Sequence, residues 1–391
     1  MEETKLFYRD TWVEVNLNAI VENVLQLKHI LPQDVDIMAV VKANGYGHGA
    51  VDVANTALEA GATSLGVALL DEALLLRKKG IHVPIIVLGY VSPKFAYLAA
   101  ENNITLTVFQ KDWVEKASEV FRDKNINLSC HIKIDTGMGR LGIRTMEEGK
   151  ALSRSLRVCK NFHVEGIFTH FATADEVNNY YYEKQQTQFK MISDAFEREW
   201  GDIIPVKHCS NSAAALRFTD RSYNTVRFGI SMYGLSPSEE IKHLLPFPLK
   251  EGFSLHSSVT HIKKLTKGEG ISYGATYKAK SSEWIATVPI GYADGWIRKN
   301  GSGSVLVNGE RAPIAGRICM DQMMVVLKNP VDIGTKVTLI GGQGDDYIPV
   351  DEVARRLETI NYEIPCMISS RVPRVIKKDN QVLRINYELF Q

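Results

Sequence analysis

The chain has 391 residues, of which 45% are hydrophobic and 23% are charged. These proportions are typical of a globular protein with a large core, and the length predicts two or three domains. The 46 basic and 45 acidic residues nearly cancel and leave a formal charge of +1. Since no strong field of one sign exists, neither nucleic acid nor an anionic membrane is expected as a partner.

The cysteines and the N-terminus bear on the cellular compartment. Five cysteines are scattered without a C-x-x-C pair, at Cys130, Cys159, Cys209, Cys319 and Cys366. An odd, scattered set argues against a disulfide framework and against a thiolate zinc site, so no metal is expected. The opening segment MEETKLFYRD does not resemble a signal peptide, and no apolar run approaches the roughly eighteen residues of a membrane helix. We therefore expect a soluble, cytoplasmic protein.

From about residue 36 to 230, short apolar runs alternate with amphipathic helical patterns. The predicted strands are DIMAVVK (36–42), SLGVAL (64–69), PIIVLG (84–89), TLTVF (105–109), CHIKID (130–135), VEGIFT (164–169), VKHCS (206–210) and TVRFG (225–229). Helical patterns between them include residues 51–62, 70–80 and 180–200. Continuous apolar strands separated by amphipathic helices predict a parallel sheet covered by helices. Eight such units would close a (β/α)8 TIM-type barrel, and an open doubly wound sheet is the alternative.

The pattern changes after about residue 240. SPSEEIKHLLPFPLKEG (236–252) carries three prolines and is typical of a linker. Short alternating runs follow, punctuated by the turn signals NG (308–309), GG (341–342) and DN (379–380), and they predict an all-β region with one helix at 351–360. The strand runs are LHSSVTHIKKL, WIATVPIGY, GSVLVNGERAPIAG, MMVVL, KVTLIG and QVLRINYELF.

Two domains follow from these patterns, in the α/β class. We predict a barrel domain over residues 1–240 and a mainly β domain over residues 241–391. The segment WVEVNL (12–17) alternates apolar and polar residues before the first barrel strand. Residues 1–17 are therefore expected either to join the β domain or to cap the barrel.

Polar residues that could carry chemistry follow several of the predicted barrel strands. Lys42 ends the first, Arg140 follows the fifth, His170 ends the sixth, and Arg227 with Gly229 lies on the eighth. The seventh strand runs into CSNSAA (209–214). Catalytic residues of a barrel gather where its strands end. Because these residues follow first, middle and last strands alike, they favour the barrel over an open sheet, whose function would concentrate at one switch point.

This set of side chains suits pyridoxal 5'-phosphate. A lysine at the end of a buried strand is a natural nucleophile for a carbonyl cofactor, because partial desolvation favours the neutral amine. The loops after strands seven and eight supply the hydroxyls and bare backbone of a phosphate site. Arg227 would face the pyridine nitrogen, which a guanidinium leaves unprotonated because it can only donate. Simple proton transfer is then favoured over decarboxylation or transamination.

Each residue also has a purely structural interpretation. Lys42 could be solvated, KANGYGHG (42–49) could be only a glycine-rich turn, His170 could be a core histidine, and Arg140 could be a surface residue of a structural turn. The joint placement of these residues at one barrel end favours the functional interpretation.

Nine segments, in order along essentially the whole chain, resemble the sequence blocks of bacterial alanine racemases. They are AVVKANGYGHG, KIDTGMGRLG, EGIFTHFATAD, HCSNSAA, VRFGISMYG, GISYGATY, PIGYADGW, GRICMDQ and INYEIPC. The resemblance implies a (β/α)8 barrel followed by a β domain, with pyridoxal phosphate as cofactor. It also implies a head-to-tail homodimer in which each site borrows residues from the partner's β domain.

The resemblance implies a role for each matched residue. Lys42 would hold the cofactor covalently and act as base on one face of the α-carbon, while Tyr273 would act from the other subunit on the opposite face. Arg140 and, from the partner, Met320 would bind the substrate carboxylate. Arg227 would meet the ring nitrogen, with His170 behind it. The cofactor would also contact Tyr46, Asn211, Ser212, Gly229, Ile230 and Tyr362, most of them at the phosphate.

Two further positions concern substrate handling. The resemblance implies that Tyr292 and Tyr362 narrow the entrance, which favours the methyl side chain of alanine. Lys133 matches a position that is carbamylated in several family members, where it would orient Arg140.

The leading functional prediction is interconversion of L-alanine and D-alanine, supplying D-alanine for peptidoglycan. A racemase for another amino acid, such as serine or lysine, is the alternative on the same fold. A decarboxylase on a related architecture is disfavoured, because a carboxylate would be expected in place of Arg227. A non-catalytic cofactor carrier would lack the β domain and Tyr273.

Overall fold

The computed structural model describes residues 7–122 and 124–387. The ends of the two predicted domain ranges, residues 1–6 and 388–391, lie outside the described residues. The chain divides into two compact units. One, the barrel unit, comprises Ile20–Gly45 and Ala50–Lys250, and the other, the β unit, comprises Met1–Ala19, Tyr46–Gly49 and Glu251–Gln391.

The first strand, β1 (Thr11–Asn16), belongs to the β unit. The strands of the barrel unit are β2 (Asp36–Val40), β3 (Ser64–Val67), β4 (Ile85–Val87), β5 (Ile104–Val108), β6 (Leu128–Lys133), β7 (Phe162–Phe168), β8 (Val206–His208) and β9 (Thr225–Phe228). All pair in parallel, in the order β8-β7-β6-β5-β4-β3-β2-β9. Between β8 and β9, the N–H of Arg227 donates to the carbonyl of Ser210 at 3.0 Å. The eight predicted strands are therefore confirmed, and they form a barrel-like sheet.

Helices connect these strands. They are α1 (Leu17–Ile30), α2 (Ala50–Glu59), α3 (Leu70–Lys78), α4 (Ala96–Glu101), α5 (Lys111–Val120), α6 (Met146–Val158), α7 (Tyr180–Trp200) and α8 (Ser212–Arg217). The three helical patterns quoted from the sequence correspond to α2, α3 and α7. Because helices cover a closed parallel sheet, most residues of the strands are buried on both faces. This explains why the strands appear in the sequence as continuous apolar runs.

The β unit is mainly antiparallel. Its strands are β1 and β10 (Phe253–Ser258), β11 (His261–Leu265), β12 (Gly270–Ile271), β13 (Tyr277–Lys278), β14 (Glu283–Val288), β15 (Ser304–Val307), β16 (Glu310–Pro313), β17 (Met323–Leu327), β18 (Lys336–Gln343), β19 (Asp346–Ile348), β20 (Arg374–Lys378) and β21 (Gln381–Asn386). The largest sheet has the order β16-β15-β18-β10-β1-β20-β21, with β19 on β18. Strands β11-β14-β17 form a second sheet and β12-β13 a third. Two helices, α9 (Val350–Leu357) and α10 (Glu363–Met367), belong to this unit. The predicted fold class, a TIM-type barrel followed by a mainly β domain, is confirmed.

Several details of the β unit differ from the sequence-based expectation. LHSSVTHIKKL forms two strands in two different sheets, β10 and β11. Gly341 and Gly342 lie inside β18 and do not form a turn. The other two turn signals are correct, since Asn308 and Gly309 take φ of +50° and +80° between β15 and β16, and the dipeptide at 379–380 joins β20 to β21. Strand β1 pairs with β10 and with β20.

Across the residues that the structure describes, no helix is both long and apolar enough to cross a membrane. Nor does this part of the chain contain a cluster of three or more His, Cys, Asp or Glu side chains arranged to hold a metal ion. None of the five cysteines, all of which lie in the described part of the chain, forms a disulfide.

Candidate active site

Lys42 lies at the start of a left-handed turn that follows β2. The three residues after it, Ala43, Asn44 and Gly45, have φ of +51° to +62° and ψ near +50°, and Tyr46 has φ of +51°. A left-handed conformation costs roughly 1–2 kcal/mol for each residue that carries a Cβ. Such strain persists only where surrounding contacts hold it, and it is concentrated at functional sites. Lys42 itself is half-buried.

Hydrogen bonds from the barrel unit hold this turn. The Ala43 N–H donates to a carboxylate oxygen of Glu72 at 2.6 Å, and the other oxygen of Glu72 accepts from Ala68 and Leu69 at 2.8 and 3.2 Å. The side-chain oxygen of Asn44 accepts from the N–H of Ala50 at 3.0 Å. Glu72 therefore ties the lysine turn to the N-terminus of α3, a role that the sequence analysis did not assign.

Arg227 is a buried cation at the centre of the barrel unit. Its Nη1 donates to the carbonyl and to Nδ1 of His208 at 2.6 and 3.0 Å. Its Nη2 donates to the carbonyls of Thr169 and Cys209, both at 2.9 Å, and to Nδ1 of His170 at 3.1 Å. Burial lowers the pKa of Arg227 to about 10, so the guanidinium remains charged near neutral pH. Within the described part of the chain, Nε–H is its one donor without a partner.

The histidines around Arg227 are neutral. Burial, followed by the positive charges of Arg227, Lys133, Arg140 and Lys42, lowers the pKa of His170 well below its usual value. Arg227 can only donate, so Nδ1 of His170 accepts and the ring proton lies on Nε2. The same electrostatic effects show that Lys42, Lys133, Arg140 and Arg227 all act on His170. These four cations therefore lie near enough to His170 to lower its pKa.

Lys133 is buried on β6 among other cations. Its Nζ donates to the carbonyl of Ile134 at 2.9 Å and lies 5.0 Å from the centroid of the Phe168 ring. Burial and Arg227 lower the pKa of this amine to about 7, and Arg140 acts in the same direction, while Asp135 opposes them. A substantial fraction of the Lys133 side chain is therefore the uncharged amine near neutral pH.

The loop that carries Arg140 is held at its base. The N–H of Asp135 donates to the carbonyl of Ile143, and the N–H of Ile143 donates to the carbonyl of Lys133, both at 2.9 Å. The Asp135 carboxylate accepts from the N–H groups of Gly137 and Gly139 at 3.1 and 2.9 Å. Arg140 is exposed, and it lies on the wall of a cleft of about 1110 Å³ between α5 and α6. Neither Lys42 nor Arg227 lines this cleft.

The segments after β8 and β9 hold the predicted phosphate residues of the barrel unit. The N–H of Gly229 donates to Oγ of Ser212 at 2.9 Å, which leaves the Ser212 hydroxyl hydrogen available to another acceptor. Oγ of Ser231 is buried without a partner in the described residues. Ile230 begins a 3-10 turn and is buried. Asn211 caps α8 by accepting from the N–H of Ala214 at 3.0 Å, and its Nδ2 donates to Phe171 at 3.4 Å.

The β unit holds the remaining predicted residues. The rings of Tyr46 and Tyr362 lie near each other, with their centroids 6.4 Å apart. Burial raises the pKa of the Tyr46 hydroxyl, which therefore stays protonated as a donor. Tyr273, Met320 and Tyr292 are exposed instead, at 72%, 53% and 41%.

Backbone strain also marks Tyr273. It follows Ser272, which has φ of +70° and ψ of +173°. The hydroxyl of Ser272 donates to the carbonyl of Arg317 and accepts the N–H of Arg317 at 2.6 and 2.9 Å. This strained turn presents the tyrosine side chain to solvent. The roles predicted for Tyr273 and Met320 involve the site of a second chain, whereas the role predicted for Tyr292 is at the entrance.

Comparisons with known proteins cover both units. Residues 15–237 match the family "Alanine racemase, N-terminal domain", and residues 252–376 match "Alanine racemase, C-terminal domain". The chain is 57% identical over 380 residues to the alanine racemase of Geobacillus stearothermophilus, covering 97% of this chain and 96% of that protein.

Solved structures agree with these matches. The crystal structure of alanine racemase from Bacillus anthracis with bound L-Ala-P is similar with a TM-score of 0.95 and 53% identity, covering 98% of this chain and 99% of that one. The histidine racemase from Leuconostoc mesenteroides subsp. sake is similar with a TM-score of 0.89 and 34% identity, covering 95% and 98%. The resemblance found in the sequence is confirmed, and the chain belongs to the alanine racemase family.

Proposed function

We propose that this protein interconverts L-alanine and D-alanine with pyridoxal 5'-phosphate as cofactor, and that it supplies D-alanine for peptidoglycan. The observation that carries the proposal is the state of Arg227. Its Nη donors are committed to five acceptors, while Nε–H is left without a partner in the described residues. A buried cation with one remaining donor suits a neutral pyridine nitrogen, which accepts a single hydrogen bond.

The residues of both units fit the cofactor. Lys42 supplies the amine for covalent attachment. The Ser212 hydroxyl, the orphaned Ser231 hydroxyl and the backbone N–H of Ile230 are donors of the kind that bind phosphate. On the β unit, the hydroxyls of Tyr46 and Tyr362 would add donors to the same group. Asn211 would act through α8, the helix that it caps.

Pyridoxal phosphate, when bound, supplies the electron sink that makes the α-proton of an attached amino acid acidic. Because Arg227 keeps its proton and can only donate, it would leave the ring nitrogen of the cofactor unprotonated, and the cofactor would then be a weaker electron sink. That condition favours return of a proton to the α-carbon over deeper chemistry such as transamination. His170, neutral and bonded to Nη2, helps to hold the guanidinium in place.

Racemisation requires a proton donor and acceptor on each face of the α-carbon. The Lys42 amine would serve one face, and the Tyr273 hydroxyl would serve the other. A phenol is a weak base near neutral pH, so the assembled site must stabilise the phenolate transiently.

We infer that the working protein is a homodimer in which Tyr273 and Met320 act in the partner's site. Their exposure supports this, because an acid/base residue acts best where water is excluded and neighbouring groups hold it in place. A second chain would supply those conditions. Arg140 would bind the substrate carboxylate with the backbone of Met320. Lys133, when carbamylated, would place a negative charge beside Arg140 and orient it.

Tyr292 and Tyr362 would restrict the entrance and favour a methyl side chain. Racemisation of serine or lysine remains the alternative, and the test is a chiral assay of the purified protein across L-amino acids, with the absorbance spectrum recorded in parallel. We expect D-alanine as the fastest product and an absorbance of bound cofactor in the visible range. A clear preference for another amino acid would overturn the substrate assignment, and a protein that binds no cofactor would overturn the mechanism.

A further inference from the structure

Two histidines of the barrel unit have no role in the proposed chemistry but are linked to Arg227. One of them contacts Arg227, and the other contacts the first histidine. His131 lies on β6 and His208 on β8. Nη1 of Arg227 lies 3.0 Å from Nδ1 of His208, and Nε2 of His208 lies 2.8 Å from Nδ1 of His131. All three side chains are at least nine-tenths buried. The atoms form a continuous hydrogen-bond chain, Arg227–His208–His131.

The direction of this chain follows from the arginine. A guanidinium can only donate, so Nδ1 of His208 must accept, and a neutral His208 must then carry its proton on Nε2. That proton points at Nδ1 of His131, which must accept in turn. His131 therefore carries its own proton on Nε2. Only this arrangement of protons lets every contact in the chain be a hydrogen bond.

The imidazole rings of His131 and His208 both remain neutral, as the hydrogen-bond chain requires. Burial lowers the pKa of His131 to about 3. Burial, His131 and the cations Arg227 and Lys133 lower the pKa of His208 well below its usual value. Protonation of His131 would place two N–H groups opposite each other across the 2.8 Å contact. One hydrogen bond would then be lost, either the bond between His208 and Arg227 or the bond between the two rings.

The fold leaves room for the two rings in one orientation. His131 is paired in register with Gly166 on β7, and a Cβ at Gly166 would lie 2.5 Å from the His131 ring. Glycine at this position is therefore what allows the imidazole to lie against the β7 backbone. The ring of Phe168 stacks on His208 with centroids 4.4 Å apart and an interplanar angle of 12°.

We propose that His131 is a positioning residue for Arg227. By accepting from Nε2 of His208, it selects the tautomer of His208 whose Nδ1 can accept from the arginine, and so it maintains the orientation of the guanidinium. This inference rests on the proposed role of Arg227 at the cofactor ring. The hydrogen-bond chain itself does not depend on that role, and it can be tested without cofactor.

The first test is nitrogen NMR of the cofactor-free protein labelled with ¹⁵N-histidine. We expect both His131 and His208 to be neutral Nε2–H tautomers between about pH 5 and 8, the range over which a free imidazole changes its charge. An Nδ1–H tautomer of His208, or titration of His131 in that range, would overturn the proposal. This result does not depend on any variant folding or on any catalytic activity.

The second test uses a matched pair of variants. In His131→Asn, the side-chain oxygen can replace Nδ1 as acceptor, whereas His131→Leu has similar bulk and no acceptor. We expect the leucine variant to lose the uniform His208 tautomer. Its affinity for pyridoxal phosphate and its kcat for alanine should each fall about tenfold, with KM for alanine little changed. The asparagine variant should recover both properties.

Equal behaviour of the two variants would show that only volume matters at this position and would overturn the proposal. A leucine variant with an unaltered His208 signal would do the same. If the tautomers respond as expected while neither variant changes cofactor binding, the hydrogen-bond chain stands, and the role of Arg227 at the cofactor is what fails.

Discussion

Individual residues were predictable where the residue type is unusual for its position. A lysine at the end of an apolar strand and an arginine inside one stand out, because burying a charge is costly without a chemical reason. Lys42 and Arg227 were predicted in this way, and both lie near enough to His170 to lower its pKa. His208 was missed because the sequence around a single histidine in a β-rich run does not show which distant residues that histidine contacts.

Replacement of the lysine gives the most direct prediction at this scale. Lys42→Ala should abolish covalent retention of pyridoxal phosphate, because no other amine takes its place at the end of β2. Borohydride reduction followed by peptide mass spectrometry measures this. The same experiment on Lys207→Ala, which removes an amine paired with Glu197 at 2.8 Å, should leave the labelling intact. A labelled peptide in Lys42→Ala would refute the attachment site.

Tyr273→Phe separates catalysis from cofactor binding. We expect kcat to fall by about 10²- to 10⁴-fold, the usual range for loss of an acid/base group, with the cofactor still bound. Exchange of the α-proton in D₂O should persist for one enantiomer of alanine and vanish for the other, because the lysine face remains intact. Loss of cofactor in parallel with activity would contradict the assignment.

The chemistry of Lys133 depends on pH in a definite direction. Because the pKa of its amine is lowered to about 7, the uncharged form that reacts with CO₂ increases as the pH rises from about 6 to 8. With ¹³C-bicarbonate, we expect a carbamate signal that grows over this interval and is absent from Lys133→Met. Lys328, which is 74% exposed, provides the control, and Lys328→Met should retain the signal. A protein without a carbamate at pH 8 would refute the modification.

At the scale of elements, the eight barrel strands were predictable and the lysine turn was not. Strands that are buried on both faces are apolar throughout, so their positions are evident in the sequence. The sequence offered a glycine-rich turn at KANGYGHG (42–49), because Asn and Gly tolerate positive φ, but it did not show what holds that turn. Its left-handed path depends on Glu72, which lies on another helix and cannot be linked to the turn by local sequence.

Strand β20 was missed for a related reason. Its sequence, RVIKK, carries three basic residues in five, and the strand joins the sheet by pairing in parallel with β1 from the other end of the chain. The GG dipeptide gave a false turn because Gly341, with φ of +109°, lies against Ser254 of β10. Glycine there allows close packing between strands, a function that a dipeptide rule does not distinguish from turning.

The lysine turn predicts a specific effect at Glu72. Glu72→Gln weakens the charge-assisted bonds to the N–H groups of Ala43, Ala68 and Leu69, so we expect the free energy of unfolding to fall by about 1–2 kcal/mol. Affinity for pyridoxal phosphate should fall as well, because the Lys42 amine loses its fixed position. Thermal unfolding and cofactor titration measure the two effects.

Asp71→Asn is the matched control, because Asp71 is an exposed neighbour on the same helix. It should change neither quantity. If Glu72→Gln behaves like this control, the turn is held by its own backbone and not by the carboxylate.

At the scale of the whole molecule, the two-unit architecture was predictable from the change of pattern near residue 240. The assembly was predictable only through the family resemblance. Exposure of Tyr273, Met320 and Tyr292 on the β unit agrees with a site completed by a second chain, but nothing in the residue pattern of one chain identifies its partner.

Hybrid dimers test the shared site. When Lys42→Ala and Tyr273→Phe chains associate at random, half of the dimers are hybrids with one intact site each, so about a quarter of full activity should return. A mixture of Lys42→Ala and Arg227→Ala chains is the control. Each change damages the barrel part of its own chain's site, so no hybrid dimer contains an intact site. Failure of the first mixture to recover, despite hybrid formation by tagged pull-down, would refute the shared site.

The position of β1 has a consequence for the synthesis of this protein. This strand leaves the ribosome before all the other strands named above, yet in the finished sheet it lies between β10 and β20, which emerge much later. Residues 20–250 are translated during the interval, so the barrel unit can fold while β1 waits without its neighbours. Closing so long a loop makes sheet completion slow. A ribosome that stalls before Arg374 would therefore hold a chain whose N-terminal strand has an open edge, which chaperones and proteases would recognise.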